Sequence, residues 1–213
     1  GTFYLPKAVI IDVNLIQSLS QREMVTGFAE ILKHAIIFDK KFYSWLDKNS
    51  FKLLRDRNIK FLKEAIYKSC KIKLFFVNND FKEKNMRMNL NFGHTFAHAI
   101  ESANNYSSSI KHGEAVLIGM VMATKLSKIL KVTTEKTLNR ILNFYDKYHL
   151  NYDLKKVLNK NKFSKIIKFM SSDKKNKGRK INFVLLKQIG KTAEPGNYKY
   201  SPEFIKRNFN KLI

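Results

Sequence analysis

Apolar residues recur at steps of three and four through most of this chain, and that period limits the fold more than any other feature. Ile59, Leu62, Ile66 and Cys70 mark one face of a helix predicted over residues 58–77. Leu138, Ile141, Leu142 and Tyr145, then Phe163, Ile166, Ile167 and Met170, repeat at i, i+3, i+4 and i+7, so helices over 134–148 and 163–170 carry core stripes. Ser20-Gln21-Arg22-Glu23 is a capping box: hydroxyl and carboxylate satisfy orphan amides, and a helix should run from Gln21 to Phe38. Helices over 91–103 and 113–130 follow, and Ser201-Pro202-Glu203 caps a last one. Strand signals are few. Residues 7–12, four apolar positions ending at Asp12, read as a short buried strand, and residues 181–186, after the charged turn 174–180, suggest a small hairpin. The expected fold class is mainly α: one helical domain over 1–213, with one N-terminal strand and a small β-hairpin near the C-terminus.

Three short segments of this helical frame share one chemistry. They are Ala29-Glu30-Ile31-Leu32-Lys33-His34, Asn91-Phe92-Gly93-His94-Thr95-Phe96-Ala97-His98 and His112-Gly113-Glu114-Ala115. Together they offer a carboxylate and several imidazoles from separate helices to one divalent metal, and two His with one carboxylate leave an open coordination position suited to catalysis. His94 and His98, at i and i+4, share a face, so the residues alone make both of them candidate ligands. Gly93 and Gly113 beside His94 and His112 allow close approach of backbone and ligand. Four of the five His lie in these segments; His149 lies outside and reads as a surface residue.

Composition narrows the remaining classes. The formal net charge is +24, from 41 Lys and Arg against 17 Asp and Glu, which raises the question of a nucleic-acid partner. The lysines are spread evenly and accompanied by Asn, Ile, Phe and Tyr, as codon bias in an AT-rich genome would produce, so no nucleic-acid partner is expected. The same field could steer an anionic metabolite into a cleft. The single cysteine, Cys70, excludes an internal disulfide and fits a reducing cytosol. The longest apolar run, residues 115–123, falls well short of the roughly 20 residues a membrane span needs. No membrane partner and no secretory signal are read, and the expected location is cytoplasmic. Gly1 in place of an initiator Met, followed at once by strand-like residues, suggests a further piece upstream.

The motifs also carry a family likeness. Gly1-Thr2-Phe3-Tyr4-Leu5-Pro6, residues 27–34, residues 91–101, and His112-Gly113-Glu114-Ala115-Val116 with Gly119-Met120 resemble 3-dehydroquinate synthases in order and spacing. Cys70-Lys71-Ile72-Lys73, Asp80, Glu83, Arg87 and Asp173-Lys174-Lys175 extend the resemblance, which covers the C-terminal, helical part of that enzyme. It implies zinc (or cobalt) held by Glu30, His94 and His112, with His98 not a ligand. It implies conversion of 3-deoxy-D-arabino-heptulosonate 7-phosphate to 3-dehydroquinate and phosphate, by NAD-mediated transient oxidation, phosphate elimination, reduction and cyclisation. The implied partners are this phosphorylated sugar acid and a second copy of the chain in a homodimer.

Roles carry over position by position. Lys33, Lys73, Arg87, Asn91, Lys174 and Lys175 would bind substrate, with one of the two adjacent lysines making the contact. Glu83 would accept a proton, and His98 would move protons around the leaving phosphate. Leu15, Ile16, Gln17, Ser18 and Thr26 would lie near NAD. His34 and Glu101 are expected to support the ligands. Thr26 departs from the Asn usual near NAD, Ser20 from a usual Pro and Ala97 from a common Gly, and the polar loop 104–111 is longer than usual. No glycine-rich phosphate cradle is present, so residues 1–14 read as strand and linker to a dinucleotide-binding domain outside the sequence. Sister sugar-phosphate cyclases with the same zinc and NAD are the main alternative, ahead of a polyol dehydrogenase or a non-catalytic basic helical module. Lys73, Arg87 and the Asp-Lys-Lys turn favour a carboxylated substrate.

Overall fold

The capping box at Ser20 forms as its residue types require in the computed structural model, which describes residues 4, 6–157, 163–172 and 180–213. Ser20 accepts a hydrogen bond from the Glu23 amide, and the Glu23 carboxylate accepts one from the Ser20 amide at 3.0 Å. Helix α1 (Gln21–Phe38) therefore starts and stops where the pattern put it. Asp39 then accepts from the amides of Lys41 and Phe42 and starts α2 (Lys40–Leu54), a helix that the periodicity missed. Its buried Phe42, Tyr43, Leu46, Leu53 and Leu54 share a side, but the polar run 47–50 interrupts the stripe. Asn58 caps α3 (Ile59–Asn79).

A 3-10 helix (Met86–Asn91) leads into α4 (His94–Ala103). The helix expected from residue 91 thus starts three residues later, because Gly93, at φ 80°, turns the chain between the two. Next come α5 (His112–Ile129), α6 (Glu135–Lys147) capped by Thr134, α7 (Leu154–Val157), α8 (Phe163–Ser172) and α9 (Pro202–Leu212) capped by Ser201.

Helix α5 is the hub. Residues 115–123 are buried without a break, and the helix packs against α1, α4, α6 and α9. Two of its glycines set how closely neighbours approach. A Cβ on Gly113 would lie 2.2 Å from the Thr26 carbonyl oxygen of α1, and one on Gly119 would lie 2.2 Å from the Gly93 carbonyl oxygen at the head of α4. Helices α1, α4 and α5 therefore meet backbone to backbone, next to the residues singled out for metal binding.

The strand expectations need correction. Residues 7–12 form no strand: Val9 is 72% and Ile10 94% exposed, and no described segment pairs with them. A strand without a ladder partner has nothing to satisfy its amides or cover its side chains, and here the chain instead winds into a 3-10 helix (Val13–Ser18) capped by Asp12. Near the C-terminus, β1 (Ile181–Asn182) pairs antiparallel with β4 (Lys199–Tyr200), and β2 (Leu186–Gln188) with β3 (Lys191–Thr192). The tight hairpin therefore turns at Gly190, at φ 88°, and not at the charged run. That run, residues 174–180, lies outside the described residues except for Lys180. No helix among the described residues is long and apolar enough to cross a membrane.

Candidate metal centre

Glu30 lies in the third turn of α1, His94 opens α4 and His112 opens α5, so the close helix crossings bring one carboxylate and two imidazoles to one point. One donor atom from each lies within 4.8 Å of the other two. Glu30 Oε1 stands 3.5 Å from His94 Nε2 and 3.8 Å from His112 Nε2. That oxygen is buried and has no hydrogen-bond partner. His94 Nδ1 lies 3.3 Å from the Phe92 carbonyl oxygen, which can only accept, so Nδ1 carries the proton and the Nε2 lone pair faces the carboxylate. Two acceptors turned toward each other in a buried place repel unless a cation lies between them, and this donor set suits zinc or a similar divalent ion.

The supporting groups fix each ring. His112 Nδ1 meets Glu101 Oε1 at 3.1 Å, a hydrogen bond that raises the His112 pKa against the opposing effect of partial burial. The same bond turns His112 Nε2 toward Glu30, the carboxylate–imidazole arrangement that orients metal ligands. Burial, reinforced by the Lys33 charge, pushes His94 down to about 3, which leaves its ring neutral. His34, behind the site, is also pushed down to about 3 by burial and shares a 2.7 Å hydrogen bond with Ser69 of α3. Glu101 thus holds one of the candidate ligand rings, whereas the His34 hydrogen bond goes to Ser69 and not to a candidate ligand.

Lys33 is almost fully buried, with its ammonium 2.6 Å from Glu30 Oε2. Burial lowers the Lys33 pKa, with Glu30 opposing and the Lys73 charge adding to the fall. Burial would raise the Glu30 carboxyl, but Lys33, by charge and hydrogen bond, and then His94 bring it below its ordinary value. A divalent ion would therefore share Glu30 with a cation already in place.

The other sequence-derived candidates fall into five groups, besides Lys73, which is exposed on α3. His98 stands edge-on to His94, with ring centroids 5.4 Å apart, and 6.2 Å from the His112 ring, but it is not in the donor cluster. Glu83, Arg87 and Asn91 belong to the segment that runs into His94. Asn91 Nδ2 donates to Glu83 Oε1 at 2.6 Å, and Arg87 Nη1 donates to the Phe81 carbonyl at 2.7 Å. Glu83 sits in a turn at φ 54° and not on a helix with Arg87, so the two are not an i, i+4 helical pair. Leu15 to Ser18 belong to the 3-10 helix Val13–Ser18 beside α3, where Gln17 exchanges hydrogen bonds with Arg57 at 2.8 and 2.7 Å. Thr26 lies at the α1–α5 crossing, with its buried hydroxyl unpartnered. Lys174 and Lys175 lie outside the described residues.

Sequence reading gave Asp80 no role. Its carboxylate accepts from the amides of Lys84, Asn85 and Arg87 at 3.0, 2.7 and 3.0 Å and so folds the Glu83–Arg87 segment. An acid followed by amides at i+4, i+5 and i+7 is a loop-folding signal, but a weak one. Reading also missed Arg22 and Glu114, which bridge α1 and α5 at a separation of 92 residues that no local pattern reports.

A family model described as 3-dehydroquinate synthase C-terminal matches residues 27–176. The chain is 43% identical over 190 residues to the 3-dehydroquinate synthase of Pelagibacter ubique, covering 89% of this chain and 51% of that protein. It spans about half the length of the curated relatives it matches. Among solved structures, 2-epi-5-epi-valiolone synthase from Streptomyces hygroscopicus, with NAD+ and Zn2+ bound, superposes with a TM-score of 0.76 at 21% identity, over 94% of this chain and 54% of that one. A 2-deoxy-scyllo-inosose synthase complexed with carbaglucose-6-phosphate, NAD+ and Co2+ gives 0.73 at 21% identity, over 92% and 54%. At that identity the two structures speak to the fold.

Proposed function

The chain belongs to the family of 3-dehydroquinate synthase C-terminal domains, and from that premise we propose that it forms the metal- and substrate-binding part of a 3-dehydroquinate synthase. The reaction is the conversion of 3-deoxy-D-arabino-heptulosonate 7-phosphate to 3-dehydroquinate and phosphate. The observation that carries this reading is the buried, unpartnered Glu30 Oε1 facing the nitrogens of His94 and His112. These three residues would hold zinc, or cobalt in its place. A divalent ion so held supplies Lewis acidity toward a substrate hydroxyl. NAD is assigned to a part of the parent protein outside this chain, since no glycine-rich turn joins a strand to a helix among the described residues. Leu15 to Ser18 and Thr26 would touch only its edge.

The chain's own residues account for substrate capture and proton movement. Lys33, a cation kept dry beside Glu30, would pair with a substrate oxygen in the place where water is least able to compete. Arg87 would grip the substrate carboxylate bidentately, its orientation set by the Phe81 carbonyl, with Lys73 as a second cation. Asn91 would add a neutral donor, and its bond to Glu83 would hold that carboxylate ready to accept a proton. His98, next to both ligand rings, would pass a proton to the departing phosphate. One of Lys174 and Lys175 would complete the pocket. A homodimer in the cytoplasm, with no nucleic-acid partner, completes the reading.

A second reading is a sister cyclase, since the fold is shared with a 2-epi-5-epi-valiolone synthase and a 2-deoxy-scyllo-inosose synthase. The discriminating experiment measures phosphate release from the heptulosonate phosphate by the full natural protein with zinc and NAD. Release that is abolished by chelation and by Glu30→Gln is expected. No release from folded, zinc-loaded, NAD-bound protein, with turnover of a sugar phosphate that lacks a carboxylate instead, would replace the synthase with a sister cyclase.

A further inference from the structure

Arg22 stands on the first turn of α1 and Glu114 on the first turn of α5, and their ion pair is bidentate: Nε to Oε1 at 2.6 Å and Nη2 to Oε2 at 2.6 Å. The same guanidinium donates to the carbonyls of Ser108 and Ser109 at 3.1 and 2.8 Å. Lys111 Nζ reaches Glu23 Oε1 at 3.1 Å, while the Lys111 amide donates to Glu114 Oε2 at 2.8 Å. Four charged side chains thereby tie the heads of two helices to the loop that delivers His112. That loop turns through positive φ at Asn105 and Tyr106, and the Asn104 side chain gathers Ser107 and Ser109, so its last carbonyls are presented to Arg22 already ordered.

The two helices touch most closely where Gly113 meets Thr26. Thr26 lies midway between Arg22 and Glu30, about 6 Å along α1 from each. On α5, Gly113 lies between His112 and Glu114. The contact is a pivot: the Arg22–Glu114 pair closes one side of it, and Glu30 with His112 closes the other.

We propose that Arg22, Glu114, Lys111 and Glu23 are positioning residues for the metal centre, setting how His112 is presented to Glu30 and His94. The proposal rests on the metal-site reading and reaches the metal only through His112. As a stabilising device the network is weak, because the Arg22 side chain is 42% exposed and exposed ion pairs contribute little. As a positioning device it is strong, since a forked pair fixes direction as well as distance and metal affinity responds to small displacements of a ligand.

The test is Co2+ binding by the full natural protein, read by chelator competition and by the visible spectrum of the bound ion, alongside the thermal midpoint. Arg22→Ala and Glu114→Gln should weaken Co2+ about tenfold or more, in the range typical for groups that orient ligands, and shift the visible bands while leaving the midpoint nearly unchanged. Arg22→Lys, which keeps the charge but loses the fork, should fall between, and it carries the test should Arg22→Ala fail to fold. In a His112→Ala background, Arg22→Ala should change affinity less than twofold. Wild-type affinity and spectrum in Arg22→Ala and Glu114→Gln would overturn the proposal, as would an equal loss with and without His112. Wild-type protein that binds no Co2+ would overturn the metal reading with it. Normal Co2+ behaviour without phosphate release would sink the synthase reading alone.

Discussion

His34 shows how one buried side chain contributes to the pH response of the protein. Its imidazole is buried against Ser69 and pushed down to about 3, whereas an unfolded His titrates near 6.5. The folded state therefore favours the neutral ring, and as pH falls the unfolded chain takes up the proton first. The stabilisation linked to His34 is full above about pH 6.5 and is lost as pH falls toward 3. In urea titrations of metal-free protein, the stability difference between wild type and His34→Gln should shrink below pH 6.5, at up to about 1.4 kcal/mol per pH unit. A difference independent of pH would show that the ring is not kept neutral. Glu101 acts on the neighbouring ring in the opposite sense, by holding His112 Nδ1. Glu101→Gln should weaken zinc about 10- to 100-fold in chelator competition. Unchanged affinity would remove Glu101 from the support of the site.

At the scale of helices, two glycines should respond to alanine with opposite signs. Gly119 faces the Gly93 carbonyl so closely that a Cβ would sit 2.2 Å from it, and both partners are backbone, so α4 and α5 would have to part. Gly119→Ala should cost about 3 kcal/mol or more in urea unfolding and should loosen metal binding, because α4 carries His94. Gly27, inside α1, is exposed, and a Cβ there would meet nothing within 4 Å. Gly27→Ala should stabilise by about 0.5–1 kcal/mol through reduced freedom of the unfolded chain. A neutral Gly119→Ala or a destabilised Gly27→Ala would contradict the packing described. The same elements show what a linear reading can find. Helix α1 was legible to the residue because its start signal lies within four positions; Glu30, His94 and His112 each sit in a short motif, but the choice of these three over His98 came from the family likeness. Helix α2 was lost to a polar run, although Ser50 in that run is buried and bonds to the Leu46 carbonyl. The β pairs were legible only roughly, as two- and three-residue strands are too short to show a period. Residues 7–12 misled, since four apolar residues indicate strand propensity but say nothing of a partner. His98 had the right spacing from His94, yet the donor cluster depends on where α1 and α5 fall, which spacing on one helix does not encode.

The whole molecule carries a charge that its contacts do not neutralise. One-to-one pairing of its 17 acids would leave 24 of its 41 Lys and Arg without an acidic partner. Fixed charges of one sign on a body this size repel at the separations found between neighbouring surface side chains, and that repulsion is relieved when the chain unfolds and expands. Screening acts over about 10 Å at 0.1 M salt and about 30 Å at 0.01 M, so the repulsion is largely felt at low salt and largely hidden at moderate salt. Individual surface ion pairs such as Arg22–Glu114 weaken over the same range, but each contributes little, and the excess of like charge outweighs them. Raising NaCl from 10 to 300 mM should therefore raise the thermal midpoint of the metal-free protein by several degrees, most of it below 100 mM. Screening depends on ionic strength, whereas salting-out depends on ion identity and continues to molar concentration. NaCl and Na2SO4 compared at equal ionic strength should thus give nearly the same curve below 100 mM. A midpoint that is flat or falling with salt would mean that the charges are arranged to attract on balance. The even spread of lysine would then have to be read as a designed surface and not as a compositional background.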